Sequence, residues 1–194
     1  MERALVLIKP DGVERALIGK VISRFEGAGL KVVALKMILA NEKQAGTHYA
    51  EDQEWLISVG KKANQSNIEK GLPVTEKDID IGMRIRSHLI KELTRSPIVA
   101  MVLEGNAAND VARKLAGATE PRKADPSTIR GSLSNDTYGA ADSGKRPIRN
   151  IVHVSENKEA ANREITVWFT ESEIQKYKRC DESILSWLLI NLFF

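Results

Sequence analysis

The run Ile98-Val-Ala-Met-Val-Leu103 (IVAMVL) contains no polar side chain. A strand with one wet face alternates apolar and polar residues, so an unbroken apolar run implies a strand buried on both faces. On its N-terminal side Ile81, Ile85, Leu89 and Leu93 form one helical stripe ending before Pro97, because proline steers the residue before it out of the helical region. On its C-terminal side Ala107 to Ala116 reads as a second helix, stopped at Gly117.

Working outward, Ala4 to Ile8 is another short apolar run, closed by the turn tripeptide Pro10-Asp11-Gly12. Leu17, Ile18, Val21, Ile22 and Phe25 then recur at helical spacing up to Gly27 and Gly29, and Val32 to Leu39 gives a second strand. Asn41 to Gln53 reads as a short helix capped by Asn41 and carrying His48 and Tyr49. Lys61 to Asp78 lacks a strong apolar face and contains Gly71 and Pro73, which predicts an excursion from the core. Ala118 to Arg149 has little periodicity and reads as a long loop of the kind that is usually functional or disordered. Ile151 to Val154 is a last short strand, followed by a helix from about Asn157 to Phe169.

Two helices inserted among four strands predict an α+β fold: a ferredoxin-like split βαβ, with a four-stranded antiparallel sheet and helices packed on one face. A chain of 194 residues fits one such domain. The insertions fall at about 52–78 and 132–148, and a hydrophobic tail at about 180–194. With 28% charged residues, 42% apolar residues and a net charge of +3, the composition is that of an ordinary globular protein. Lys and Arg are interleaved with Asp and Glu, so charge alone does not predict nucleic-acid binding. The lone Cys180 cannot form an internal disulfide, which makes a cytoplasmic location the default. The apolar segment Leu185–Phe194 is about half the ~20 residues that span a bilayer, so no membrane is expected; it should pack on the core or on a partner subunit.

Several chemistries are excluded by spacing. Gly12 and Gly19-Lys20 do not make a phosphate-binding P-loop, because the spacing is too long and Val21 replaces the hydroxyl residue. His48, His88, His153 and Cys180 show no zinc-ligand spacing, and there is no G-x-S-x-G elbow. What remains is a distributed set: Lys9, Tyr49, Arg113, Thr119, Arg130, Asn150 and His153. Arg and Lys bind phosphate oxygens through charge-assisted bonds while Thr, Tyr and Asn add neutral donors, so the set could hold a polyphosphate beside an imidazole. Singly, each has a plainer explanation. Lys9 could be a solvated strand end, Arg113 the complement of a helix C-terminus, and Thr119 and Asn150 turn formers. His153 could be a half-buried core histidine, Tyr49 amphipathic cover, Ser155 a helix cap and Glu164 part of a solvated helix face.

Taken together, Lys9-Pro-Asp-Gly12, His48-Tyr49, Thr128-Ile-Arg-Gly131 and Asn150-Ile-Val-His-Val-Ser155 resemble the nucleoside diphosphate kinase family, in this order, from residue 1 to about 170. The resemblance implies transfer of the γ-phosphoryl group of ATP or another nucleoside triphosphate to a nucleoside diphosphate, by a ping-pong route through a phosphohistidine on His153. It implies that Lys9, Arg113, Thr119 and Arg130 hold phosphates, with Tyr49 beside them and Asn150 on the ribose. Glu164 and Ser155 would orient the imidazole. Mg²⁺ would arrive bridging the phosphates and not in a protein cage, and the assembly would be a homo-oligomer, with a hexamer favoured. A neutral imidazole, with an unperturbed pKa of about 6.5, keeps a free lone pair near neutrality. The family stacks the base on a Phe shortly after the His-Tyr pair. Here that stretch reads EDQEWLISVG, leaving Trp55 and Leu56 as the alternatives. The aspartate and serine usual after H-x-S become Glu156 and Asn157. The rival reading is a non-catalytic nucleotide- or nucleic-acid-binding module on the same scaffold.

Overall fold

The computed structural model describes residues 1–69, 71 and 73–182. The apolar segment beginning at Leu185 lies outside them. Four strands form one sheet: β1 (Glu2–Ile8), β2 (Lys31–Ile38), β3 (Ile98–Gly105) and β4 (Val152–Val154), in the order β2-β3-β1-β4. Every pairing is antiparallel, with Leu7 of β1 opposite Met101's neighbour Ala100 on one side and His153 on the other. This is the ferredoxin-like α+β sheet expected from the element order.

Helices cover both faces, however, and not one. On one face Val21 and Phe25 of α2 (Ile18–Gly27) and Ala108 and Ala112 of α6 (Ala108–Ala116) pack on Ala4, Val6 and Ile8. On the other, Leu5 and Leu7 meet Ala45 of α3 (Glu42–His48), Leu93 of α5 (Asp78–Thr94) and Ile165 and Trp168 of α9 (Lys158–Trp168). The two core strands therefore have no wet face, as IVAMVL required: Ile98, Ala100, Met101, Val102 and Leu103 are fully buried.

Several local expectations change. Pro10-Asp11-Gly12 opens a short helix, α1 (Pro10–Glu14), with proline at its first turn where its missing N–H costs nothing. The expected helix after Asn41 ends at His48, and Asn41 and Gln44 form a capping box at its start. The presumed excursion contains a helix, α4 (Gln53–Glu69), antiparallel neighbour of α5. Its contact with α5 is made by the absence of side chains. A Cβ on Gly60 would lie 1.8 Å from the Asp78 carbonyl oxygen, and one on Gly82 2.2 Å from that of Leu56. Backbones in such contact need no apolar stripe, so hydrophobic periodicity had nothing to report. Asn64 fastens the hairpin, its amide donating to Asp78 Oδ1 at 2.7 Å.

The stretch from Ala118 to Arg149 is also more ordered than its composition suggests. It holds a 3₁₀ turn at Pro121–Lys123 and two short helices, α7 (Ile129–Leu133) and α8 (Tyr138–Ser143), capped by Thr128 and Thr137. Asp136 gathers the segment, accepting from both Arg146 guanidinium nitrogens at 2.6 and 2.9 Å and from the Arg149 N–H at 2.7 Å. The Arg146 contact and two backbone bonds hold its carboxyl down at about 2. Ile129 anchors α7 in the core, but much of the region is organised by polar hydrogen bonds, which leave no periodic signature.

Candidate active site

The site lies where β1, β4 and the loops after α6 and around α7 converge. β1 delivers Lys9 at its C-terminal end, and β4 runs antiparallel beside it with His153 at its centre. The Lys9 ammonium is buried and donates to Asn150 Oδ1 at 2.8 Å and to the Ile148 carbonyl at 3.3 Å. Burial lowers its pKa, and the negative charges of Asp11 and Glu92 act in the opposite sense. Asn150 in turn donates from Nδ2 to the Thr119 carbonyl at 2.9 Å. One amide thus ties Lys9 to the Thr119 loop.

Arg130 does more than the sequence suggested. Its Nη1, Nη2 and Nε donate to the carbonyls of Gly117 at 2.6 Å, Val152 at 2.8 Å and Asn150 at 3.3 Å. Three bonds use part of a five-donor fork, which leaves N–H groups for an anion. Burial lowers its pKa to about 10, so it stays cationic at neutral pH, and the charge of Arg113 contributes to the lowering. Arg113 and Thr119 are exposed, the former in the last turn of α6. The cations Lys9, Arg113 and Arg130 therefore act on one another electrostatically from three separate segments.

The imidazole end is more tightly built. His153 Nε2 lies 2.9 Å from Glu164 Oε2, and Ser155 Oγ donates to the same oxygen at 2.7 Å. Glu164 and Ser155 are buried while the His153 side chain keeps 22% of its surface exposed. Burial alone would raise the Glu164 pKa, but the His153 hydrogen bond and charge, with His48 and Ser155, hold it at about 2. A carboxylate ionised at working pH accepts and does not donate, so His153 Nε2 carries the proton. Its Nδ1 lone pair is left free.

His48 packs its ring edge-to-face with His153, centroids 4.5 Å apart, and its Nδ1 accepts the Trp168 indole N–H at 3.3 Å. Burial drives its pKa down to about 3, so it is a neutral wall of the site. His48, His153 and Glu164 are close enough to share a cation. Their facing atoms are engaged instead: Glu164 Oε2 by His153 and Ser155, and His48 Nδ1 by Trp168. The sequence offers His48 only as half of the His48-Tyr49 motif and gives it no role of its own, since residue type does not tell a buried wall from amphipathic cover.

Tyr49 ends α3, its ring 6.3 Å from that of His153; burial raises its pKa. Trp55 stacks on Tyr49 at 6.4 Å with 24° between planes. Leu56 is 2% exposed beneath α5 and cannot reach a base. Of the two alternatives the sequence left, Trp55 alone sits at the rim.

A ferredoxin-like sheet that brings an ionised carboxylate–imidazole pair beside a cationic cluster is built for phosphoryl transfer. A family model described as nucleoside diphosphate kinase matches residues 2–57 and 82–174. A curated nucleoside diphosphate kinase of Pyrobaculum aerophilum is 42% identical over 179 residues, covering 90% of this chain and 98% of that one. One from Borreliella burgdorferi is 39% identical, covering 94% and 95%. Among solved structures, an NDP kinase from Pyrobaculum aerophilum superposes with a TM-score of 0.87 at 40% identity, covering 90% of this chain and 99% of that one. A transition-state mimic of the Borrelia burgdorferi nucleoside-diphosphate kinase, with bound vanadate and ADP, gives 0.77 at 38%, covering 95% and 96%. The chain belongs to the nucleoside diphosphate kinase family, a family of phosphotransferases. The matched residues omit 58–81, which take in most of α4 and the start of α5.

Proposed function

We propose that this chain moves the γ-phosphoryl group of ATP, or of another nucleoside triphosphate, to a nucleoside diphosphate through His153. The observation that carries the assignment is the Nε2–Glu164 contact at 2.9 Å, which leaves Nδ1 as the nucleophilic atom. Nδ1 attacks the γ-phosphorus, the bond from phosphorus to the β–γ bridging oxygen breaks, and the diphosphate leaves with that electron pair. A second diphosphate then attacks the phosphohistidine through a terminal β-oxygen, the N–P bond breaks, and the imidazole is restored. No proton need leave the ring, because Glu164 stabilises the positive charge that develops on it.

Lys9, Arg113, Thr119 and Arg130 hold the phosphates, Tyr49 lies beside them, and Asn150 contacts the ribose. Ser155 and Glu164 orient the ring. Trp55 is the aromatic platform for the base. Mg²⁺ would enter with the nucleotide and, when bound, would supply positive charge against its phosphates. The residues fit that role: Glu164 Oε2 is taken by Ser155 and His153, and Asp11, which binds the Ile151 N–H through Oδ2, is buried and, among the described residues, lies outside the cluster of candidate metal ligands. Leu35 and Met37, exposed on the edge strand β2, support association into a homo-oligomer; the hexamer is the size the family resemblance favours, and light scattering measures it. A cytoplasmic location agrees with the lack, among the described residues, of any helix long and apolar enough to cross a membrane. The rival nucleic-acid module is disfavoured because helices cover both sheet faces, leaving no open platform for stacked bases.

Incubation with ATP labelled at the γ-position tests the reading. An acid-labile, base-stable phosphoprotein should form without acceptor and discharge on adding a diphosphate. Absence of label, or label retained in His153→Gly, contradicts it.

A further inference from the structure

Asp11 has no part in the chemistry above, yet it is only 3% exposed and sits under the catalytic strand. Its Oδ2 accepts the Ile151 N–H at 2.9 Å, a fully buried bond across 140 positions of sequence. Ile151 is β-branched and has φ 70°, a conformation that such residues almost never adopt. The next N–H, of Val152, bonds back to the Asn150 carbonyl at 2.7 Å. An i→i+2 bond around a positive φ is the rare, strained form of the γ-turn. The Lys9 N–H donates to the Ile151 carbonyl at 2.8 Å, so both backbone polar groups of the turn's central residue are held by the β1–α1 junction. Gly12 permits this approach, since a Cβ there would lie 3.0 Å from Ile151 Cγ2 and 2.8 Å from Ile8 Cγ2.

Backbone in such a region is strained and persists only where its surroundings over-determine it. What depends on this turn is the site itself. Asn150, which joins Lys9 to the Thr119 loop, is its first residue, and His153 follows its last. The β4–β1 ladder is only three pairs long, Val6 with Val154, Leu7 with His153 and Ile8 with Val152, and cannot by itself hold the direction in which β4 leaves the turn.

We propose that Asp11 is a positioning residue for phosphoryl transfer: its buried carboxylate holds the γ-turn at Ile151 and thereby aims His153 Nδ1 and the Asn150 amide. With the carboxylate removed, Ile151 relaxes to negative φ, the Asn150–Ile151 peptide rotates, and the His153 ring parts from Glu164.

The inference rests on His153 as the nucleophile, and the experiment separates the two. Wild type, Asp11→Asn and Asp11→Ala are compared for thermal stability, for the single-turnover rate of phosphorylation by labelled ATP, and for the His153 ring tautomer by ¹⁵N NMR without nucleotide. Asn keeps an acceptor oxygen for Ile151. It should stay within about fivefold of the wild-type rate and keep the single Nε2–H tautomer. Ala, assayed well below its melting temperature, should lose at least about 30-fold in rate and show mixed tautomers. A folded Ala variant with wild-type rate and tautomer overturns the proposal. So does an Asn variant that loses more than fivefold, and this second comparison decides the matter if Ala does not fold. Should wild type itself take no label, the nucleophile assignment falls, while the tautomer response of the variants still decides the role of Asp11.

Discussion

The junction that carries His153 and the α4/α5 hairpin at the rim of the site are held together in opposite ways. At the junction, polar groups are buried against one another: Lys9, Asn150, Glu164 and Ser155 are all nearly inaccessible, and each has named partners. In the hairpin, two glycines let bare backbones touch, and α4 buries few large side chains: Leu56 is its only fully enclosed apolar one. Removing a group from the first should damage chemistry first. Adding a group to the second should damage stability first. That contrast teaches that a site and its scaffold can fail independently, and it can be tested from both sides.

The largest expected effect is at the nucleophile. His153→Gly should lower turnover by at least about 1,000-fold, because no other group offers a lone pair there, while the melting temperature moves little. A coupled assay with a calorimetric scan reads both. Arg130→Ala comes next, with at least a tenfold loss of kcat/KM, about 1.4 kcal/mol. It should also cost stability, about 1–3 kcal/mol, since the Gly117, Val152 and Asn150 carbonyls each lose a guanidinium N–H. Unchanged stability would mean those bonds contribute nothing.

On the hairpin side, Gly60→Ala must push α4 off α5, as its Cβ would overlap the Asp78 backbone. A loss of about 1–3 kcal/mol in urea unfolding is expected, with kcat of the folded protein within about twofold. Trp55→Ala, at the border between the two regions, should raise the nucleotide KM by about three- to tenfold and leave kcat nearly intact. A last effect concerns pH. Glu164 has its pKa lowered from 4.5 to about 2 in the folded state, so its stabilisation is fully present above about 4.5 and is lost as pH falls toward 2. In Glu164→Gln that part of the acid-induced loss of stability should vanish, as a pH series of melting curves would show.

The contrast also explains how much could be read from the residues alone. The order of strands and helices follows apolar periodicity, and the site residues belong to motifs whose residue types are set by chemistry, so both were legible. Lys9, Arg130, Asn150 and His153 do converge. What escaped was structure without a periodic or chemical signal. α4 packs through glycine, α7 and α8 stand on polar caps, and His48 is a neutral wall. Arg130 spends part of its guanidinium on backbone carbonyls, which residue type cannot reveal. The expectation of helices on one sheet face failed against the apolar runs of β1 and β3, which already demanded two covered faces.

Which ring nitrogen carries phosphorus is the most direct test. The phosphorylated protein can be trapped at alkaline pH and examined by ³¹P and ¹⁵N NMR after ¹⁵N-histidine labelling. Phosphorus bonded to Nδ1 of His153, with Nε2 still protonated toward Glu164, is the expected result. A phosphoryl group on Nε2, or on any residue other than His153, would contradict it.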